Sequence, residues 1–353
     1  MIKLNKLIKT NNLVTHNNRI YSRMVQTYST ERLVFNPWYQ NCRMFTTSVH
    51  TSCSIPVLDP WFVVGFTDGE ASFTITIYKD KEYFTGWHIQ AMFQIHLHAK
   101  DLPLLKQIQS FFGVGAIQTI KSSSSVIYRV TNQKELIEII IPFFDKYPLL
   151  TQKRADFELF KSVIILMKNR EHRTREGLLK IVNIKASINK GLSNTLIESF
   201  PNVLPVNRPR IETTEIPDPA WISGFSSAES CFDIVISKNN SKLNYQTKLR
   251  FRITQHVRDR ALLGLISKYL NCGRLENSRD TVDFCVTKFL DILNIVIPLF
   301  EKYPLQGIKV LNFQDFYQVA LLMKDKAHLT ASGLDQIRKI KSKINTNRDE
   351  NEQ

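Results

Sequence analysis

A segment of this chain occurs twice without a gap, and that duplication limits the fold more than any other feature. Residues 59–73 read DPWFVVGFTDGEASF and residues 218–232 read DPAWISGFSSAESCF. Asp59/Asp218, Pro60/Pro219, Gly65/Gly224, Phe66/Phe225, Glu70/Glu229 and Phe73/Phe232 therefore stand 159 positions apart. Each copy opens on Asp-Pro, an N-cap followed by a proline at the first helical position. Each runs through about three apolar turns and ends in a glutamate before an alternating, strand-like stretch. Gly65 and Gly69 lie four apart on one predicted helix, as Gly224 and Ala228 do on the other. Small residues at that spacing let a second backbone approach closely. If the copies pack there, Glu70 and Glu229 emerge side by side, where two carboxylates repel unless one is protonated or cations lie between them. The alternative is a helix-packing core with solvated end charges; recurrence of the glutamate in both copies favours the metal site.

The matching continues beyond the motif. FQIHLHAKDLPLL at 93–105 answers FRITQHVRDRALL at 251–263, and PFFDKYPL at 142–149 answers PLFEKYPL at 298–305. From there the register runs through Lys153/Lys309, Phe157/Phe313, Met167/Met323, His172/His328, Gly177/Gly333 and Asn189/Asn345. A period this long excludes short-repeat solenoids and predicts two related domains about a pseudo-twofold axis. Five segments follow: 1–58, 59–190 as the first domain, 191–217 as linker, 218–345 as the second domain, and the tail 346–353. The linker carries Pro201, Pro205, Pro209 and Pro217 with little periodicity.

Within the first domain, Phe73, Ile75 and Ile77 alternate on one face, and Ala91, Phe93, Ile95 and Leu97 do so on the next strand, which reads as a hairpin with one apolar face. A helix over Lys100–Phe112, strands near 115–121 and 126–131, a helix from about Gln133, and two further helices to about Lys190 complete the unit. The helices must cover the apolar sheet face, leaving the polar one open. That open face carries Ser72, Thr74, Thr76, Tyr78, Gln90, Gln94 and His96 in the first half. In the second it carries Asp233, Ser237, Gln246, Lys248, Arg250, Arg252 and Thr254. Long hydrogen-bonding side chains on a two-stranded ribbon suit the edges of bases in a DNA groove.

Charge agrees. The 353 residues carry a formal net charge of +15, an excess that points to a polyanion, nucleic acid before anionic membrane. No apolar run approaches the length of a bilayer-spanning helix. The cysteines Cys42, Cys53, Cys231, Cys272 and Cys285 form no Cys-x-x-Cys pair, which argues against zinc and for reduced thiols. Residues 1–58 set seven Lys and Arg against the single acid Glu31 among many Ser, Thr and Asn. That composition fits a disordered basic leader, either a mitochondrial targeting segment or a remnant of translated upstream sequence.

Lys153 and Lys309 follow the matched Tyr-Pro-Leu turns at equal distance. Beside phosphate they would stabilise negative charge or lower the pKa of an attacking water; alone, each would read as a surface lysine. Gln255 stands where the first half has Leu97, placed either to orient a water or to be a buried, hydrogen-bonded glutamine.

The repeated VVGFTDGEA and ISGFSSAES, with their hairpins and KYPL turns, resemble the two motifs of a single-chain LAGLIDADG homing endonuclease of the organellar, intron-encoded type. The resemblance covers roughly 59–345. It implies an α+β fold of two αββαββα domains, with the motif helices at the interface and both antiparallel sheets forming a saddle on duplex DNA. It implies that Glu70 and Glu229 bind Mg²⁺ or another divalent cation such as Mn²⁺, assisted by the backbone carbonyls of Gly69 and Ala228. Lys153 and Lys309 fall at the family's active-site lysines, and Gln255 at its water-ordering residue. The expected reaction is metal-dependent double-strand DNA cleavage that leaves short 3′ overhangs and promotes intron mobility, by a monomer in the mitochondrion. An RNA-splicing maturase acting on host intron RNA is the alternative, and a catalytically dead DNA-binding protein a third reading. Departures are Ser227 where the first motif has Asp68, Ala71 and Ser230 at a usual glycine, and Leu97 at a polar position.

Overall fold

The computed structural model describes residues 58–240 and 243–345. The basic leader and the C-terminal tail expected from the sequence lie outside the described residues, except Leu58, which is buried in the core. The first half comprises α1 (Pro60–Glu70), β1 (Ala71–Lys79), β2 (Trp87–His98), α2 (Leu102–Phe112), β3 (Ala116–Ile120) and β4 (Ser125–Val130). A helical run over 133–146 (α3), α4 (Lys153–Lys168) and α5 (Arg175–Lys185) follow, then a short α6 (Asn194–Ser199). The second half repeats the order with α7 (Pro219–Glu229), β5 (Ser230–Lys238), β6 (Tyr245–His256), α8 (Arg260–Leu270), β7 (Arg274–Ser278) and β8 (Thr281–Val286). A run over 289–302 (α9), α10 (Lys309–Lys324) and α11 (Ala331–Lys341) end it.

Each half holds one antiparallel four-stranded sheet, ordered β1-β2-β4-β3 and β5-β6-β8-β7. The alternation read in the sequence sets the faces: Ala71, Phe73, Ile75 and Ile77 are buried, while Ser72, Thr74 and Thr76 are half-exposed. The buried face packs aromatics against its own helices. Phe73 meets Phe93, Phe144 and Phe157 at ring-centre distances of 5.2, 5.4 and 5.2 Å. Phe232 meets Phe251, Phe300 and Phe313 at 5.2, 5.9 and 5.6 Å. Tilted and edge-on arrangements at these spacings add to the stabilisation by burial.

The motif helices begin as the sequence predicts. Asp59 accepts from the Trp61 amide at 2.7 Å, and Asp218 from the Ala220 amide at 2.7 Å. Their burial is not amphipathic: every residue from Phe62 to Asp68, and from Ala220 to Ser227, is buried. Each helix has its own sheet on one side and the other motif helix on the opposite side, so no solvent face remains.

Two features go beyond the sequence reading. The helices at 133–146 and 289–302 each contain a π-helical turn, Leu136–Ile140 and Ile292–Val296. Pro142 and Pro298 follow in the next turn, where a proline ring removes a backbone donor and crowds the preceding carbonyl; the wider turn relieves both. The segment 191–217, read as a linker with little periodicity, holds α6 and is strapped onto the first half. Arg208 forms a two-pronged pair with Asp156 of α4, at 2.6 and 2.8 Å, and donates to the carbonyls of Gln152 and Ser187. Thr213 donates to the Leu150 carbonyl at 2.8 Å. These anchors are single residues and leave no periodic signal. Among the described residues no helix is long and apolar enough to cross a membrane.

Candidate active site and nucleic-acid face

The site begins with two glycines. α1 and α7 cross so tightly that a Cβ on Gly65 would collide with the Trp221 carbonyl, and one on Gly224 with the Phe62 carbonyl. One turn later Gly69 lies against the Cβ of Ala228, and a Cβ on Gly69 would stand 3.5 Å from Oε1 of Glu229. The spacing of small residues thus does what the sequence predicts: it brings the C-terminal ends of both motif helices, and Glu70 with Glu229, to one place.

Their electrostatics follow from that meeting. Glu70 is raised from the ordinary 4.5 to about 7, first by burial among its neighbours and then by the Glu229 charge, while Lys153 and Lys309 oppose the shift. Glu229 is raised too, again chiefly by burial, and a hydrogen bond from Gln255 works in the other direction. Gln255 is half-buried and hydrogen-bonded to the Glu229 carboxylate.

Both lysines reach the helix ends. Lys153 is the first residue of α4, and its Nζ donates to the carbonyls of Thr67 and Gly69, each at 2.9 Å. Lys309, first in α10, donates to the Ser230 carbonyl at 2.6 Å. Neither is a simple surface lysine: burial lowers both ammonium pKa values, and the neighbouring carboxylates counter it. The Gly69 carbonyl, an expected metal ligand, here accepts from Lys153; a carbonyl oxygen keeps a second lone pair. A cleft of about 430 Å³ opens beside Glu70, lined also by His96, Leu97, His98, Asp101 and Ser125.

Asp68, the acid that the second motif replaces with Ser227, is a packing element. Its carboxylate is buried and accepts from the Leu150 amide (2.9 Å), the Thr151 amide (3.1 Å) and hydroxyl (2.6 Å), and Trp221 Nε1 across the interface (2.9 Å). Burial raises its pKa despite these donors. Its counterpart Ser227 does part of the same work, accepting from the Gln306 amide at 3.0 Å. The lost acid therefore costs the second motif little, because the turn ahead of Lys309 remains tied to its helix.

The open sheet faces carry the expected residues in register. Ser72 pairs with Gln94, Thr76 with Gln90, and Tyr78 with His88. In the second half Asp233 pairs with Arg250, Val235 with Lys248, Ser237 with Gln246, and Arg252 with Cys231; Thr254 faces Asp283. Tyr78 is exposed and stacks on His88 at 4.8 Å, and His96 is exposed at the sheet end. Asp233 is engaged within the sheet, accepting from Arg250 Nε at 2.9 Å and pairing with its Nη2 at 2.7 Å. It presents the arginine to whatever lies above. Arg252 leans on Asp283 at 3.4 Å.

Sequence reasoning placed the outer strands of the first half but named no open-face residue on them. Arg129 on β4 lies beside Gln94 and bridges it to Gln118 on β3, and Arg274 and Glu276 occupy the matching edge of the second sheet. Short strands with weak alternation hid them. The direct cross-strand pairing of Gln94 with Arg129 is visible only once the β2–β4 register is known.

The LAGLIDADG endonuclease profile matches residues 63–164 and 222–320, so each half carries one copy. The probable intron-encoded endonuclease 2 of Neurospora crassa is 41% identical over 308 residues, covering 84% of this chain and 67% of the relative. The probable intron-encoded endonuclease 3 of the same fungus is 42% identical over 284 residues, covering 79% of this chain and 53% of its own length. This chain thus spans about two thirds and about half of those curated relatives. Among solved structures, the I-SmaMI LAGLIDADG homing endonuclease bound to cleaved DNA superposes with a TM-score of 0.80 at 43% identity, over 82% of this chain and 98% of that one. I-SmaMI bound to an uncleaved DNA target in the presence of calcium ions gives 0.79 at 44% identity, over 81% and 99%. The doubled motif, the paired sheets about a shared helix crossing and these likenesses agree: the chain belongs to the LAGLIDADG endonuclease family and has the fold of its single-chain homing members.

Proposed function

We propose that this protein is a site-specific endonuclease that cuts both strands of a long, asymmetric double-stranded DNA target by divalent-metal-dependent phosphodiester hydrolysis, thereby promoting the mobility of its intron. The observation that carries this reading is the convergence of Glu70 and Glu229 at the twin helix ends, with Lys153 donating to the backbone at the end of the first and Lys309 at the end of the second. Two carboxylates raised by burial, one of them also by the other's charge, form a pair whose negative charge calls for cations.

The donor set fits magnesium, and manganese could use the same oxygens. Among the described residues no group of three or more His, Cys, Asp or Glu gathers around one point. Such a site matches an ion that takes one or two carboxylates and completes its shell with water and substrate phosphate. Glu70 and Glu229 would hold it, with the Gly69 and Ala228 carbonyls at the helix ends. When bound, the ion neutralises charge on the scissile phosphate and lowers the pKa of a water for in-line attack. The chain's own groups do the rest. Gln255 fixes the Glu229 carboxylate, and the Lys153 and Lys309 ammonium groups add positive charge where the transition state is most negative. The two open sheet faces hold the duplex through their Arg, Lys, Gln and Tyr side chains, with the net positive charge drawing in the phosphates.

Both half-sites are in one chain, which supports action as a monomer. The intron-encoded relatives and the basic, acid-poor first 58 residues support a mitochondrial setting. Retention of both glutamates favours cleavage over a maturase that only binds intron RNA.

The test is cleavage of DNA spanning the insertion site, with Mg²⁺. Glu70→Gln and Glu229→Gln are each expected to slow cleavage at least about a hundredfold, on the scale of losing a principal electrostatic stabiliser, and EDTA to stop the wild type. Unchanged products from both variants would remove the assigned ligands.

A further inference from the structure

Each lysine helix starts on a carboxylate supplied by the opposite half of the molecule. Asp101, at the end of the turn after β2 in the first half, accepts from the Ile308 amide of the second half at 2.7 Å. Asp259, its counterpart after β6, accepts from the Gln152 amide of the first half at 2.7 Å. In both cases the bonded amide belongs to the residue immediately before the lysine, Lys309 or Lys153. Asp101 also fills the space beside Gly307, where a Cβ would strike its carboxylate oxygen and where φ is +67°. Asp259 is 4% exposed and pairs with Arg258 at 3.5 Å. Asp101 lines the cleft that Glu70 opens onto.

A carboxylate at a helix start satisfies an orphan amide and opposes the positive end of the helix dipole. Ordinary caps come from the same chain segment. These two cross the interface, so the rotation and depth of α4 and α10, and hence the reach of each Nζ, depend on how the halves dock.

We propose that Asp101 and Asp259 are positioning residues that set Lys309 and Lys153 respectively, so that each half is made competent by the other. This rests on the reading of the lysines given above. On this reading each lysine serves one strand of the duplex. Loss of one aspartate therefore impairs one strand and leaves the other.

The experiment is single-turnover cleavage, with Mg²⁺, of insertion-site DNA carrying a different label on each strand, using the full chain. Lys309→Met and Lys153→Met first identify the strand each lysine serves. Asp101→Ala is expected to slow the Lys309 strand on the order of tenfold to a hundredfold, the range expected of a small misplacement of a catalytic group, and to accumulate nicked DNA. Asp259→Ala should nick the opposite way. Asp101→Asn, which keeps an acceptor oxygen, should restore the wild-type strand ratio, and DNA affinity should be unchanged throughout. Where an alanine variant does not fold, the asparagine variant carries the test, and a strand-selective loss there overturns the inference. Equal slowing of both strands by a folded alanine variant, or no slowing by it, overturns the inference as well. If Lys309→Met cuts both strands at the wild-type rate, the lysine assignment fails; if it stops one strand while Asp101→Ala does not, only the positioning role fails.

Discussion

Glu70 sits between opposing demands. Its carboxyl is raised to about 7 from the ordinary 4.5 because neighbours exclude water and Glu229 repels its charge. Between those two values the folded protein holds a proton that the unfolded chain has released, so folded stability falls as pH rises through that window. In EDTA the melting temperature is therefore expected to drop from pH 5 to pH 7.5. Glu70→Gln should flatten that drop, and Mg²⁺ should restore more stability at pH 7.5 than at pH 5. A pH profile identical in wild type and Glu70→Gln would show that the pair carries no such strain. The residue scale also explains the tolerance of Ser227. A buried acid at Asp68 is held by four donors, whereas the serine needs only one amide to keep the same turn in place.

The decisive elements are α1 and α7. Their approach is set by Gly65 and Gly224, each facing a carbonyl of the other helix with no space for a Cβ. Gly224→Ala is expected to cost about 1–3 kcal/mol or more, the range for overpacking a close interface, and to weaken cleavage more than DNA binding because it separates the glutamates. Thermal melting alongside cleavage and binding assays checks it; a variant as stable and active as wild type would mean the crossing is looser than described. The linker acts at this scale too. Arg208 fixes Asp156 on the lysine-bearing α4, so a stretch that looks like a spacer helps hold the first turn of that helix.

For the whole molecule, function follows from two sheets held in fixed relation by one helix crossing. Their open faces present Gln90, Gln94, Arg129, Lys248, Arg250 and Arg252 among others, on a chain of net charge +15. Binding that neutralises six or more phosphates should weaken on the order of 10³-fold or more between 50 and 200 mM salt. A flat response, measured by equilibrium titration, would count against the basic faces as the docking surface. Arg250→Ala is not equivalent to deleting a free cation, since it also leaves Asp233 without its partner.

The duplicated motif, the strand alternation and the glycine spacing were legible because each is a regular pattern imposed by a regular element. They determined two sheet-bearing halves, a close helix crossing and a carboxylate pair; the matched turns singled out Lys153 and Lys309, for which the family resemblance implied an active-site role. What the sequence could not carry is pairing between segments far apart. Asp101 with Ile308, Asp259 with Gln152, Asp68 with Trp221 and Arg208 with Asp156 are single side chains meeting backbone or each other across 52 to 207 positions. Such contacts have no period. They exist only because the tertiary structure brings together groups whose neighbours in the chain say nothing about them.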